Sequence, residues 1–161
     1  MPLKHKIKWT NFVNEIKKKR KTIGFVMCVN KNNEFLIIKR SADEDSKEGY
    51  WDLPGGHIDD EDKSIENGVL RELKEETNLI AYEKDLQYIQ KINSHDADKY
   101  FYVTKEWSGD VKFNPNPKTG VIEHTDAKWK TIEEIKDDKS LELRTFPVYL
   151  LDKALTKFKN E

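Results

Sequence analysis

Residues 71–79 of the chain read RELKEETNL, and they carry glutamates at positions 72, 75 and 76. At 3.6 residues per turn of an α-helix, these three side chains fall within about 100° of arc. Beside that arc runs an apolar stripe of Ile65, Val69, Leu70 and Leu73. The pattern predicts a helix with one face in a core and an acidic edge next to it.

The ends of this helix are also marked in the sequence. Ser64 is a suitable N-cap, and Glu66 favours the first turn, where backbone N–H groups point outwards. Asn78 accepts the left-handed conformation that often follows the last turn of a helix. We therefore predict a helix over residues 64–77.

Three neighbouring carboxylates have two interpretations. Like charges three or four residues apart on a helix repel one another by a few tenths of a kcal/mol per pair. A bound divalent cation would reverse that repulsion, since Mg²⁺ prefers carboxylate oxygens, water and substrate phosphates. Alternatively, Glu72, Glu75 and Glu76 form a solvated acidic face, with Arg71 and Lys74 as partial counter-charges.

Strands and turns surround the helix in a mixed order. The first two predicted strands, at residues 22–30 and 34–39, are separated by a short polar turn and are expected to form a hairpin. The segment WDLPGG at 51–56 is extended and broken by proline and glycine. Further strands are predicted at 86–92, 99–107 and 128–131, and further helices at 131–136 and 146–158. This order indicates an α/β or α+β sandwich.

Read together, LPGG at 53–56 and RELKEETNL at 71–79 resemble the signature of the Nudix hydrolase family, the MutT-like pyrophosphohydrolases. That signature runs G-x5-E-x7-R-E-U-x-E-E-x-G-U, where U is aliphatic. The interval between Gly56 and Arg71 is one residue longer than in the signature. As a result, either Asp62 or Lys63 occupies the place of its first glutamate, and Asn78 replaces its last glycine.

The resemblance implies an α/β Nudix fold, an α/β/α sandwich around a mixed β-sheet, over residues 22–161. Residues 1–21 lie outside it and form a basic N-terminal extension with a charge of +7, which leaves −8 for the rest of the chain. Basic residues 4–21 could bind RNA or DNA phosphates. A solvated, partly helical extension is favoured, because nucleic-acid-binding proteins more often spread basic residues over the whole domain.

The family's metal ligands and catalytic groups can be carried onto matching positions of this sequence. The resemblance implies that Arg71 orients carboxylates and that a glutamate, either from the helix or Glu123, acts as the base for an attacking water. Mg²⁺, or Mn²⁺ as a substitute, would be bound by Gly56, Glu72, Glu75, Glu76 and Glu123.

Groups that could contact substrate lie upstream of the helix. Arg40, together with Lys39, either meets phosphates or ends a strand, and the resemblance adds Gly55 and Gly56. Trp51 is a candidate for stacking on a nucleotide base, as are Tyr50, Tyr100 and Tyr102, although core or sheet packing is favoured for each of them. The four histidines show no pairwise spacing typical of a zinc site.

The reaction implied by the resemblance is metal-dependent hydrolysis of a nucleoside diphosphate linked to another group. A (deoxy)nucleoside triphosphate, oxidised forms included, cut to monophosphate and pyrophosphate is the first expectation. The alternatives are ADP-ribose, dinucleoside polyphosphates, nucleotide sugars and the RNA 5′ end. A Nudix module that binds a nucleotide without cleaving it is a further alternative.

Composition excludes several other classes of protein. The chain has 161 residues, 36% of them hydrophobic, and a net charge of −1, which predicts a folded domain rather than disorder throughout. Its longest nearly continuous apolar run, residues 23–29, is far shorter than the about 20 residues of a membrane helix. A single cysteine allows no internal disulfide. We expect a cytoplasmic protein with no membrane partner.

Overall fold

The computed structural model describes residues 20–41, 49–141, 143 and 146–159. Most of the predicted N-terminal extension, including the basic residues before position 20, lies outside the described residues. The helices are α1 (Ile65–Thr77), α2 (Ile132–Asp137) and α3 (Tyr149–Phe158), with a 3₁₀ turn at Glu83–Asp85. The strands are β1 (Lys21–Cys28), β2 (Phe35–Arg40), β3 (Trp51–Asp52), β4 (Gly55–His57), β5 (Gln87–Asn93), β6 (Ala97–Thr104) and β7 (His124–Lys130).

These strands are divided between two sheets. The larger sheet has the order β4-β1-β6-β5 and is mixed, because β1 pairs parallel with β6 and antiparallel with β4. The smaller sheet, β3-β2-β7, is antiparallel. The predicted α/β class and mixed sheet are confirmed, and β2 lies outside that sheet.

The predicted hairpin of the first two strands is wrong beyond its tip. A bridge joins Val29 to Phe35 around the turn, where Asn33 has a φ of 58°. After that bridge the strands enter different sheets. Each strand has two edges, and both edges of β1 are taken by β4 and β6, while those of β2 are taken by β3 and β7.

Side chains that alternate along β1 enter two separate cores. Phe25 and Met27 pack in one core with α2 and α3, whereas Val26 and Cys28 pack in the other with α1. Helices therefore cover both faces of the mixed sheet, as in the predicted sandwich. At Gly24 a Cβ atom would lie 2.3 Å from Val69 Cγ2, so α1 rests directly on the backbone of β1.

Helix α1 has the predicted ends. Ser64 Oγ accepts a hydrogen bond from the backbone N–H of Asn67, and Asn78 closes the helix with a φ of 68°. Two other elements start furthest from the places predicted for them. Strand β7 begins at His124, four residues before the predicted start, and α3 begins at Tyr149, just after Pro147. Within the described ranges, no helix is long and apolar enough to cross a membrane.

Candidate active site

An open cavity of about 440 Å³ lies between α1 and the segment that leads into β7. We call the side formed by α1 and β4 the helical wall, and the side formed by residues 114–123 the loop wall. Among the described residues, the cavity is lined by Arg40, Gly55, Gly56, His57, Asp59, Arg71, Glu72, Glu75, Glu76, Asn116, Lys118 and Glu123. All three helix glutamates named from the sequence reach this cavity, and so does Glu123.

Glu76 is the most deeply placed of these carboxylates, with 8% of its surface exposed. Its Oε2 accepts a hydrogen bond of 2.9 Å from the backbone N–H of Gly55. Burial, and secondly the charge of Glu72, raise the pKa of Glu76 well above its ordinary range. A buried carboxylate beside a second one favours either a proton or a cation at this point.

Glu72 lies against the backbone of β4. A Cβ atom at Gly56 would be 2.7 Å from Glu72 Cδ, so a glycine at this position lets the strand approach the carboxylate. Burial raises the pKa of Glu72 to about 7, although the charge and hydrogen bond of Arg71 oppose the increase. The helical wall therefore holds more negative charge than its own side chains neutralise.

Arg71 uses all five of its N–H donors inside the protein. Nε and one N–H of Nη2 donate to the two oxygens of Asp62, both at 2.9 Å. The other N–H of Nη2 donates to the carbonyl of His57 at 3.0 Å. Nη1 donates to Glu72 at 3.0 Å and to Glu75 at 3.2 Å. Arg71 therefore fixes the orientation of two helix carboxylates and has no donor left for a ligand.

The same contacts favour Asp62 over Lys63 as the counterpart of the first glutamate of the signature. The carboxylate of Asp62 pairs with Arg71 and also accepts the backbone N–H of Asp59. The hydrogen bond of Arg71 is the main reason why the pKa of Asp62 is lowered. Lys63 is exposed. The additional residue therefore lies after Asp62 and leaves the pairing with Arg71 intact.

Residues that were not predicted from the sequence lie on the loop wall and directly after it, where His124 begins β7. Asn116 Nδ2 donates to Glu123 Oε1 at 2.9 Å. His124 is 3% exposed and its ring stacks on Phe113, and its ligand atoms and those of Glu76 and Glu123 all lie within 4.8 Å of one another. Burial, and secondly the charge of Arg40, lower the pKa of His124 to about 4.

No signal in the sequence identifies His124. Its place opposite Arg40 follows from the register of β2 and β7, which only the folded structure provides. Spacing among the histidines could not reveal it, because its neighbours here are carboxylates. No pattern recognised in the sequence marks Asn116 or Lys118: Asn116 contacts Glu123 seven residues away, and Lys118 contacts Asp59 across 59 positions.

Some of the predicted substrate-contacting residues line the cavity and others do not. Arg40 lines the cavity from the end of β2, and Gly55 and Gly56 line it from β4. Trp51 is 5% exposed, belongs to a core cluster and has Lys128 Nζ 4.9 Å from the centre of its ring. The structure does not bring Trp51 to the cavity, in keeping with the packing role that the sequence analysis favoured. Tyr102 is also buried, and its hydroxyl donates to Glu66.

The donor set of the cavity fits a hard divalent cation. Glu72, Glu75, Glu76 and Glu123 offer carboxylate oxygens, which Mg²⁺ and Mn²⁺ prefer. Burial is the main reason why the pKa values of Glu72 and Glu76 are raised, and the positive charges of Arg71 and Arg40 do not fully offset it. A cation bound among them would supply further positive charge.

Comparisons with known proteins agree with this geometry. A family model described as "NUDIX domain" matches residues 18–151. No curated protein sequence matches the chain.

Solved structures share the fold. A MutT protein from Methanosarcina mazei Go1 is 24% identical, with a TM-score of 0.62 over 89% of this chain and 96% of that chain. The NUDIX domain of Shewanella oneidensis NrtR, solved with ADP-ribose, is 21% identical, with a TM-score of 0.67 over 88% and 90%. An ADP-ribose pyrophosphatase from Streptococcus suis is 19% identical, with a TM-score of 0.61 over 88% and 93%. At these identities the likeness shows the fold alone.

Proposed function

The chain belongs to the Nudix hydrolase family and is a pyrophosphohydrolase, and we propose that its substrate is a (deoxy)nucleoside triphosphate, which it cleaves to a monophosphate and pyrophosphate. Oxidised nucleotides are included in this class. The observation that carries the proposal is the convergence of four glutamates and Arg40 on one open cavity. Such a cavity can bind a polyphosphate only when cations are held between the carboxylates and the phosphates.

The character of the cavity lining supports a polyphosphate over a largely apolar ligand. Nine of the twelve described lining residues carry an ionisable side chain, and none is Phe, Tyr or Trp. Among the described residues, the lining of the cavity is therefore suited to bind the charged phosphates of a nucleotide.

We assign cation binding to Glu72, Glu75 and Glu76, with Gly56 contributing its carbonyl oxygen. Mg²⁺ is the proposed ion and Mn²⁺ a substitute. When bound, the cation neutralises phosphate charge and lowers the pKa of a coordinated water. Arg71 keeps Glu72 and Glu75 in position, and the N–H of Gly55 does the same for Glu76.

Glu123 has the proposed role of general base. One of its oxygens accepts the N–H of Asn116, which leaves the other to take a proton. A water oxygen forms a bond to phosphorus, its proton passes to Glu123 Oε2, and the bridging P–O bond breaks with pyrophosphate as the leaving group. Asn116 holds Glu123 in place during this transfer.

A phosphate-release screen with inorganic pyrophosphatase tests the proposal. The panel contains nucleoside triphosphates, 8-oxo-dGTP, dinucleoside polyphosphates and RNA with a 5′-triphosphate, each with Mg²⁺, with Mn²⁺ and with EDTA. Metal-dependent release from nucleoside triphosphates is the expected result. Glu75→Gln should lose most of it, whereas Glu83→Gln, at an exposed position outside the cavity, should retain it.

ADP-ribose is the second candidate substrate, because a structural neighbour was solved with this ligand bound. Its hydrolysis yields only monophosphates, so an additional arm with a phosphatase detects it. Phosphate release in that arm alone would identify ADP-ribose, and not a nucleoside triphosphate, as the substrate. Silence across the panel, with a nucleotide still bound by folded protein, would support the binding-module alternative.

A further inference from the structure

Three positively charged side chains line the cavity, those of Arg40, Arg71 and Lys118. Arg71 cannot bind a substrate. Arg71 has already donated all five of its N–H groups to protein oxygens. A polyphosphate that enters must therefore find its protein donors elsewhere. Arg40 was expected from the sequence to meet phosphates, but Lys118 was not.

Among the described residues, the side chain of Lys118 is held at the cavity by one exposed ion pair. Its Nζ donates to Asp59 Oδ2 at 3.0 Å, and 75% of its side chain is exposed. An ammonium group has three N–H donors, so two of them point to solvent among the described residues. Because exposed ion pairs contribute little to stability, the contact with Asp59 can be exchanged easily.

Asp59 does not lose all its partners when Lys118 leaves. The same Oδ2 atom lies 3.3 Å from Arg71 Nη2, so an ion pair with Arg71 remains. The exchange would release the ammonium without leaving an isolated carboxylate in the cavity.

The backbone around Lys118 is ordered by Asn116. Asn116 Oδ1 accepts the N–H of Lys118 at 2.8 Å, and the Asn116 carbonyl accepts the N–H of Gly120 at the same distance. The side-chain amide of Asn116 also donates to Glu123. Lys118 is therefore fixed in register with the proposed base on the same loop wall.

We propose that Lys118 is a substrate-binding residue, whose ammonium exchanges Asp59 for a non-bridging oxygen of the substrate's polyphosphate. This inference rests on the proposed function, because the ligand is the phosphate chain that the reaction cleaves. It assigns to the loop wall the phosphate contact that Arg71 on the helical wall cannot make.

The first test is calorimetric titration with an α,β-methylene nucleoside triphosphate in the presence of Mg²⁺. Lys118→Met should weaken binding about tenfold, the usual effect of losing a charge-assisted hydrogen bond. Lys118→Arg should retain most of the affinity. Lys112→Met, an exposed lysine of the same connection that does not line the cavity, is the matched control and should bind as the wild type does.

The Asp59→Asn variant distinguishes two roles of Lys118: binding the substrate's phosphate, or only anchoring the loop through its ion pair with Asp59. If Lys118 only anchors the loop on Asp59, this variant should weaken binding as much as Lys118→Met does, and that result would overturn the proposal. If Lys118 binds phosphate, Asp59→Asn should keep at least the wild-type affinity, since the competing carboxylate charge is gone.

Steady-state kinetics distinguish this inference from the function on which it rests. Lys118→Met should raise KM about tenfold and change kcat less than threefold. Wild-type protein that hydrolyses no triphosphate would overturn the proposed function. Normal turnover by the wild type, with Lys118→Met equal to Lys112→Met in KM and in affinity, would overturn the assignment of Lys118 alone.

Discussion

The helical wall and the loop wall of the cavity are built in different ways. On the helical wall, Glu72, Glu75 and Glu76 follow from the periodicity of one helix, and Arg71 binds two of them directly. On the loop wall, Asn116 orients Glu123 through a single hydrogen bond. One wall is rigid because its side chains share a helix and a guanidinium, whereas the other depends on a few separate contacts.

Because the two walls are built differently, we expect mutations in the helical wall and mutations in the loop wall to have different consequences. Damage to the helical wall should remove the cation and with it most of the activity. Damage to the loop wall should alter how well a bound substrate or the attacking water is positioned. The predictions below test that ordering, beginning with the largest effect.

Glu76→Gln is expected to reduce kcat by at least about 100-fold, because a neutral amide replaces a buried carboxylate of the proposed cation site. The variant should nevertheless unfold at the same temperature as the wild type or higher. Its amide oxygen can still accept the N–H of Gly55, and no charge is buried. Activity assays and thermal unfolding in EDTA measure the two effects. A stable variant with near-normal kcat at saturating Mg²⁺ would remove Glu76 from the cation site.

The second prediction concerns pH and metal removal. In EDTA, the pKa of Glu72 is about 7 in the folded chain and 4.5 when unperturbed. Between these pH values the folded state keeps a proton that the unfolded state has lost, so Glu72 makes stability fall as pH rises. The contribution is greatest below pH 4.5 and is lost above pH 7.

Glu72→Gln should remove this decline, and the difference in Tm between the variant and the wild type should grow by about 5–10 °C from pH 5 to pH 7.5. Comparing the two proteins cancels the opposite contribution of His124, whose pKa is lowered to about 4. Mg²⁺ should stabilise the wild type more than the variant at pH 7.5, since the proposed site would bind the cation through the ionised carboxylate of Glu72. Parallel Tm profiles would show that Glu72 does not titrate in this range.

The smallest effect is expected on the loop wall. Asn116→Ala should lower kcat about threefold to tenfold, because Glu123 loses one hydrogen bond while keeping its charge. Tm should stay within about 1 °C of the wild-type value, as is usual for partly exposed loop positions. Lys112→Ala, at an exposed residue of the same connection that does not line the cavity, is the control. A loss as large as that of Glu76→Gln would mean that the two walls are equally essential.

The sequence predicted the helical wall well because its information is local. Ser64, Asn78 and the apolar stripe defined the helix, and its three glutamates then had to share one side. Asp62 could not be distinguished from Lys63 by counting. The distinction depends on the contact with Arg71, nine residues away along the chain, which only the folded structure provides.

Elements that depend on distant partners were not predictable in this way. The polar turn after β1 correctly suggested a reversal, but it could not show that β1 pairs with β4 and β6. Lys118 similarly meets Asp59 across 59 positions of sequence. Nothing within residues 108–120 specifies that contact.

Strand β1 lies between β4 and β6 and sends its side chains into both cores. Hydrogen exchange of its central amides should therefore require opening of the whole domain, because neither core survives without this strand. Glu76 is bound to Gly55, which pairs with Phe25 of β1, so the helical wall belongs to that cooperative unit. Among the described residues, the exposed ion pair of Lys118 with Asp59 joins the loop to the helical wall, so we expect this loop to open locally more often than β1 does, which would let substrate enter and product leave while the helical wall stays folded.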